Sequence, residues 1–284
     1  MFSKNSLPII SRYSILKYLT DYFHNMRDKI ILFLGGVAFG TAAIFVKFCT
    51  ITPPFITFLR FLIAGILLLP FVSKRRRKII LKRFILPSLF LSLHMLFFVS
   101  SVFLTTIASS TILVSTSPIF AMLFKKKIDP FIIMAILGIF IMNFNTSFGY
   151  ILGNVLAILS AISFAIYTYF LSRLDYDSLS IIPIIYLISS IFMIPVLPFY
   201  GLGDINPISI LAVLGLVLVP TLIGHGSVIY TANKLPISLV TSAELIEPVM
   251  ATILAIPIFH QIPDTQELIG GTITLISIYF AFRR

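Results

Sequence analysis

The chain has 284 residues, 58% of them hydrophobic and only 11% charged, with a mean hydropathy of +1.08. A soluble domain of this length needs far more polar surface, so lipid must solvate much of the exterior, and at about 20 residues per span there is room for roughly ten spanning helices and no sizeable soluble domain. The formal net charge of +11 does not mark nucleic-acid binding, because the basic residues sit in gaps between apolar runs, and the single cysteine, Cys49, excludes an intramolecular disulfide and a metal-thiolate motif.

Residues 1–28 come first. Arg12 and Lys17 interrupt Ile9, Ile10, Ile15, Leu16 and Leu19, so there is no continuous apolar core of the kind a cleaved signal peptide needs. Both a basic amphipathic helix on the inner membrane surface and a disordered leader fit this segment. Apolar runs then follow at 30–48, 53–72, 84–104, 107–124, 130–146, 149–171, 179–200, 208–230, 236–258 and 267–281. These read as ten spanning helices, the fifth and tenth short enough to require tilt or local thinning of the bilayer. Pro53 and Pro54, Pro130 and Pro236 mark starts, where the missing N–H has no intrahelical partner to lose.

Every Lys and Arg except Lys47 and Arg60 falls before the first run, in alternate loops between runs, or at the C-terminus. The intervening loops (50–52, 105–106, 146–147, 201–207 and 261–266) carry none. The positive-inside rule therefore places both termini in the cytoplasm, and one miscounted span would scramble the alternation.

The chain also repeats. Pro118 in the fourth run and Pro248 in the ninth are each followed at three residues by alanine, Ala121 and Ala251. Leu137-Gly138 in the fifth run matches Ile269-Gly270 in the tenth. The halves are 29–146 and 149–281, and because five is odd the second must enter the membrane in the opposite sense. Such an inverted repeat puts a transporter's site near the midplane between the halves. Gly36 and Gly40 in the first run, and Gly149, Gly153, Ala157, Ala161 and Ala165 in the sixth, are small residues at i+4 spacing, expected to allow close helix packing.

Ionisable groups within spans cost about 2.5–3.5 kcal/mol each and are functional candidates for that reason. Arg60 lies mid-span in the second run, where it requires a carboxylate, a carbonyl or a ligand anion. Lys47 lies near the outer end of the first run and is placed to snorkel. Glu244 and Glu247 lie three apart on one face of the ninth run, and Pro248 frees a carbonyl beside them. Two such carboxylates repel when both ionise, which suits proton coupling; a static Arg60–Glu247 pair holding the halves together is the alternative. His94 and His225 occupy equivalent runs, the third and eighth, and read either as cavity residues or as hydrogen-bonded packing. Tyr167, Tyr169 and Tyr230 offer hydroxyls and ring faces to a substrate or serve as interfacial anchors. Ser227 and Asn233 are weaker candidates. No cofactor and no metal site is expected. Gly224-His225-Gly226-Ser227 lacks the Gly-x-Ser-x-Gly arrangement of a hydrolase, and with no phosphate loop or dinucleotide fingerprint no enzyme is expected.

In order along the chain, Gly35, Gly36, Gly40 and Lys47, then Pro53, Arg60-Phe61 and Ala64, then Ser117-Pro118, then Glu247-Pro248-Val249 with Ala251, and finally Gly270 resemble the EamA-type transporters of the drug/metabolite transporter superfamily. The resemblance covers residues 29–281. It implies an all-α integral membrane fold of ten helices in two inverted five-helix repeats, around a central cavity that exports or exchanges amino acids or other small metabolites. Many members carry Gly-Glu after the ninth helix, where this chain has His260-Gln261; either Glu267 takes over part of that role or the loop differs. The expected partners are a small-molecule substrate, the bilayer of the plasma membrane and a coupled proton, with no nucleic acid. A channel or a membrane scaffold is the rival reading. Substrate identity, direction of transport and oligomeric state have no sequence signature.

Overall fold

The computed structural model describes residues 12–72, 81–142, 151–259 and 265–283. The first part of the leader, the basic run 74–78, the loop 146–147, Gly149, His260-Gln261 and Arg284 lie outside the described residues, as does the side chain of Glu267.

Helices account for nearly all of what is described. They are α1 (Arg12–Phe39), α2 (Ala42–Lys47), α3 (Pro53–Leu68), α4 (Ile85–Leu104), α5 (Ile107–Val114), α6 (Ser117–Lys125) and α7 (Pro130–Met142). There follow α8 (Ile151–Leu171), α9 (Ser178–Met193), α10 (Leu197–Tyr200), α11 (Pro207–Leu216), α12 (Gly226–Thr231), α13 (Ile237–Thr241), α14 (Ile246–Phe259) and α15 (Thr265–Arg283). Among the described residues six helical segments are long and apolar enough to cross a bilayer, and Pro130–Ile141, Ser178–Met193 and Leu268–Arg283 are shorter apolar helices. Large apolar side chains such as Phe199, Ile151 and Leu211 face outward, as a lipid-solvated surface requires. Residues 12–28 are continuous with the first apolar helix rather than a separate element.

Among the described residues five of the apolar runs are interrupted: the seventh between α9 and α10, and four others, three of these with proline as the cause. A proline ring clashes with the carbonyl four residues earlier and supplies no N–H to it. Four residues before Pro118 is Val114, where α5 ends; four before Pro248 is Glu244, inside the short 3₁₀ stretch Ser242–Leu245 that separates α13 from α14. Four before Pro220 is Leu216, where α11 gives way to a π-helical segment, Val217–His225. The Thr221 hydroxyl donates to the Leu216 carbonyl at 2.7 Å, replacing the lost bond. The first run breaks instead at Gly40-Thr41, beside a position where a Cβ would collide with Met250.

The main packing pairs are α4 with α8, α7 with α15, α3 with α9, and α1 with the π segment and α12. In terms of runs these are three–six, five–ten, two–seven and one–eight. Exchanging each run with the one five places along leaves this set unchanged. Small residues make the approaches close: a Cβ on Gly153 would lie 2.8 Å from the Leu104 carbonyl carbon, and one on Gly138 would lie 2.8 Å from the Gly270 carbonyl oxygen.

One end of the bundle, that of the loops without Lys or Arg, is closed by a hydrogen-bonded clasp. Asp204 donates its N–H to the Thr50 carbonyl at 3.1 Å and Thr52 donates its own to the Leu202 carbonyl at 3.2 Å, bracketing an antiparallel bridge between Ile51 and Gly203. The hydroxyls of Thr50 and Thr52 donate to the carbonyls of Asp204 and Gly201, each at 2.7 Å. Gly203 has φ +78°, and a Cβ there would lie 2.7 Å from the Thr50 carbonyl oxygen, so only glycine permits this bridge.

Candidate functional site

The breaks described above converge at the centre of the bundle. α3 carries Arg60, α4 carries His94, the π segment carries His225, and the 3₁₀ stretch with the start of α14 carries Glu244 and Glu247. All five line one cavity together with Phe39, and all are buried. The cavity measures ≈ 10 Å³, room for about one water.

Arg60 is fully buried. Its Nε donates to the Thr221 hydroxyl at 3.0 Å, and the Tyr186 hydroxyl donates to the Thr221 carbonyl at 2.6 Å. Of the expected partners, a carboxylate, a carbonyl or a ligand anion, neither of the first two is hydrogen-bonded to Arg60 among the described residues; its Nε is taken by a threonine of the π segment. Nη1 and Nη2 have no hydrogen-bond partner. Among the described residues there is no Arg60–Glu247 ion pair, and Glu247 Oε1 is likewise unpartnered. A static clamp between these two is not what the geometry contains.

His94 is held from one side by Ser160 of α8: Nδ1 lies 2.8 Å from the Ser160 hydroxyl oxygen and 3.1 Å from its carbonyl oxygen. The Ser160 hydroxyl donates its own hydrogen to the His94 carbonyl at 2.9 Å. Both oxygens facing Nδ1 thus accept, which assigns the proton to Nδ1 and leaves Nε2 basic when the ring is neutral. Nε2 points at Glu244 Oε1, 3.6 Å away. The other carboxyl oxygen of Glu244 accepts from the Ser117 hydroxyl, and its main-chain carbonyl, freed by Pro248, accepts from the Ser115 hydroxyl at 2.8 Å. The break in the fourth run thus caps the break in the ninth. One proton placed between Nε2 and Oε1 makes the pair either a neutral acid beside a neutral imidazole or an imidazolium beside a carboxylate.

His225 differs. Its ring packs against Phe39, His94 and Phe164 at centroid distances of 4.8, 5.3 and 6.1 Å, and its Nδ1 is unpartnered.

The remaining sequence candidates lie elsewhere. Tyr167 is buried with an unpartnered hydroxyl, one ring further out against Phe164 at 5.2 Å. Tyr230 belongs to the basic end of the bundle: its hydroxyl accepts from Arg27 at 2.9 Å and Lys234 Nζ lies 3.1 Å over its ring. Tyr169 sits under Arg173 at 4.8 Å. Lys47 is exposed near the clasp, outside the cavity. Ser227 back-bonds to the Gly224 carbonyl within its own helix, and Asn233 reaches the Tyr176 carbonyl. Ser160, Ser115, Thr221 and Tyr186 have no distinguishing sequence motif; Pro220 and Pro248 were the readable signals, because each frees a carbonyl that a neighbouring hydroxyl must satisfy. Among the described residues, no group of three or more His, Cys, Asp or Glu side chains stands close enough to hold a metal ion.

Comparison with known proteins agrees with this architecture. The EamA-like transporter family matches twice, over residues 29–144 and 151–283. A solved structure titled "Crystal structure of protein" superposes with a TM-score of 0.75 at 16% identity, covering 90% of this chain and 96% of that one; this likeness concerns the fold alone. No curated protein matches the sequence.

Proposed function

The chain belongs to the EamA-like transporter family, and from that premise we propose that it is a secondary permease moving small metabolites such as amino acids across the plasma membrane by alternating access, as exporter or exchanger. We read the ten apolar runs as ten spans, with both termini cytoplasmic and the halves 29–146 and 149–281 inverted. The exchange symmetry of the packing pairs and the matched proline breaks support this arrangement.

One observation carries the reading. Around a single cavity between the halves stand Arg60 Nη1 and Nη2, His225 Nδ1 and Glu247 Oε1, all buried and all without partners. Leaving such groups unsatisfied is costly, and a ligand that satisfies them recovers the cost. A carboxylate fits the fork of the guanidinium and an ammonium fits Glu247, so an α-amino acid is the proposed cargo class. The proton between His94 and Glu244 is the proposed coupling element. A cavity for one water holds no metabolite, so the described conformation is the closed one. Loading requires one end to open, and the clasp of Thr50–Thr52 on Gly201–Asn206 is the outer closure in this scheme.

The test is counterflow in proteoliposomes across a panel of radiolabelled amino acids, amines and organic acids. Saturable flux of one class that responds to an imposed pH gradient supports a coupled permease. Flux linear in concentration would make it a channel, and no flux of any class would favour a scaffold.

A further inference from the structure

A second cavity, sharing no lining residue with the central one, lies at the basic end of the bundle. It is a groove of ≈ 720 Å³ between the first and last helices, walled by Met26, Lys29, Ile30 and Phe33 of α1 and by Leu275, Tyr279, Phe282 and Arg283 of α15. Phe33 and Phe282 meet edge to face at 6.2 Å and bridge the two walls. The apolar walls are open, with Ile30 at 52% and Tyr279 at 58% exposure. Each wall also carries one cation, Lys29 or Arg283, and among the described residues no acidic side chain lines the groove. The neighbouring carboxylate of Asp28 is turned to Arg27 at 3.3 Å.

We propose that this groove binds one anionic phospholipid of the cytoplasmic leaflet, its phosphate between Lys29 and Arg283 and an acyl chain along Ile30, Phe33 and Tyr279. Basic pockets between spanning helices on the cytoplasmic side suit such headgroups, and the opposed apolar walls suit a chain that free phosphate lacks. The leader is a poorer occupant, because residues 1–22 carry Lys4, Arg12 and Lys17 against a single acid, Asp21, and would be repelled by the two cations. The proposal rests on the groove and on the cytoplasmic placement of the termini proposed above, and is independent of the cargo.

The protein has no tryptophan, so Tyr279→Trp places a single reporter in the groove. Its fluorescence is measured in vesicles containing bromine-labelled phosphatidylglycerol or bromine-labelled phosphatidylcholine. We expect about a fivefold preference for phosphatidylglycerol, weakened by salt and removed by Lys29→Gln with Arg283→Gln. A Phe140→Trp reporter in the same backgrounds should show no preference and should verify that the double variant is folded. Equal quenching by both lipids, or a preference that survives the double variant, overturns the proposal. Quenching by neither would mean that protein covers the groove. Loss of the preference when inorganic phosphate replaces chloride at equal ionic strength would assign the site to a free anion instead of a lipid.

Discussion

His94 and His225 occupy corresponding runs of the two halves, and their rings lie 5.3 Å apart at the centre of the molecule, yet their surroundings differ. His94 is engaged on both nitrogens, by Ser160 and by Glu244. His225 stands among Phe39, Phe164 and His94 with Nδ1 unpartnered, on the same cavity as the free ends of Arg60 and Glu247. Helix pairing is symmetric between the halves, but hydrogen-bond satisfaction is not. In the proposed cycle the engaged side holds a proton and the orphaned side waits for cargo.

The most severe break should come on the orphaned side. Arg60→Ala removes the only guanidinium among the described residues lining the cavity, and flux in proteoliposomes should fall about 100-fold, equivalent to about 3 kcal/mol of lost charged hydrogen bonding. Glu247→Gln should cost about tenfold and chiefly raise the apparent KM for an amino-acid cargo, since it keeps the shape and loses the charge. Normal transport by both variants would remove the cavity assignment.

The two histidines themselves give the next test. His94→Gln should abolish the response of flux to an imposed pH gradient while leaving exchange without a gradient within about threefold, because the proton site is lost and the cargo site is not. His225→Gln should do the reverse, keeping the pH response and raising KM about fivefold. Identical behaviour of the two variants would erase the distinction between engaged and orphaned sides.

Ser160→Ala sharpens the comparison at a smaller scale. It removes one of the two acceptors facing His94 Nδ1, and thermal denaturation in detergent should register a loss of about 1 kcal/mol. Ser227→Ala, whose hydroxyl only back-bonds to its own helix, should change stability by less than about 0.5 kcal/mol. A small effect is also expected at the clasp. Cys49 is the protein's single thiol and is buried beside the clasp. Thr50→Ala, which removes the bond to Asp204, should speed its labelling by a membrane-impermeant thiol reagent about threefold. Unchanged labelling would mean that the clasp does not control access.

Hydropathy, the alternation of basic loops and the placement of Pro118 and Pro248 together made the all-helical membrane class and the two-part repeat legible from sequence, and the ordered motifs from Gly35 to Gly270 carried the resemblance to the family. These are local, one-dimensional properties: a span needs only an apolar stretch of sufficient length, and a proline breaks its helix wherever it falls. Arg60, His94, Glu244, Glu247 and His225 were legible for a related reason, since ionisable residues within spans are rare enough to stand out singly. Which of them face one another depends on the rotation and crossing of each helix, and on that only the tertiary structure decided. It gave Arg60 to Thr221 in place of Glu247, set Ser117 and His94 on Glu244, and left Tyr230 and Lys47 away from the cavity. Serine and threonine hydroxyls are ordinary within apolar helices, and they become specific partners only when packing brings another helix's freed carbonyl or charged group within reach.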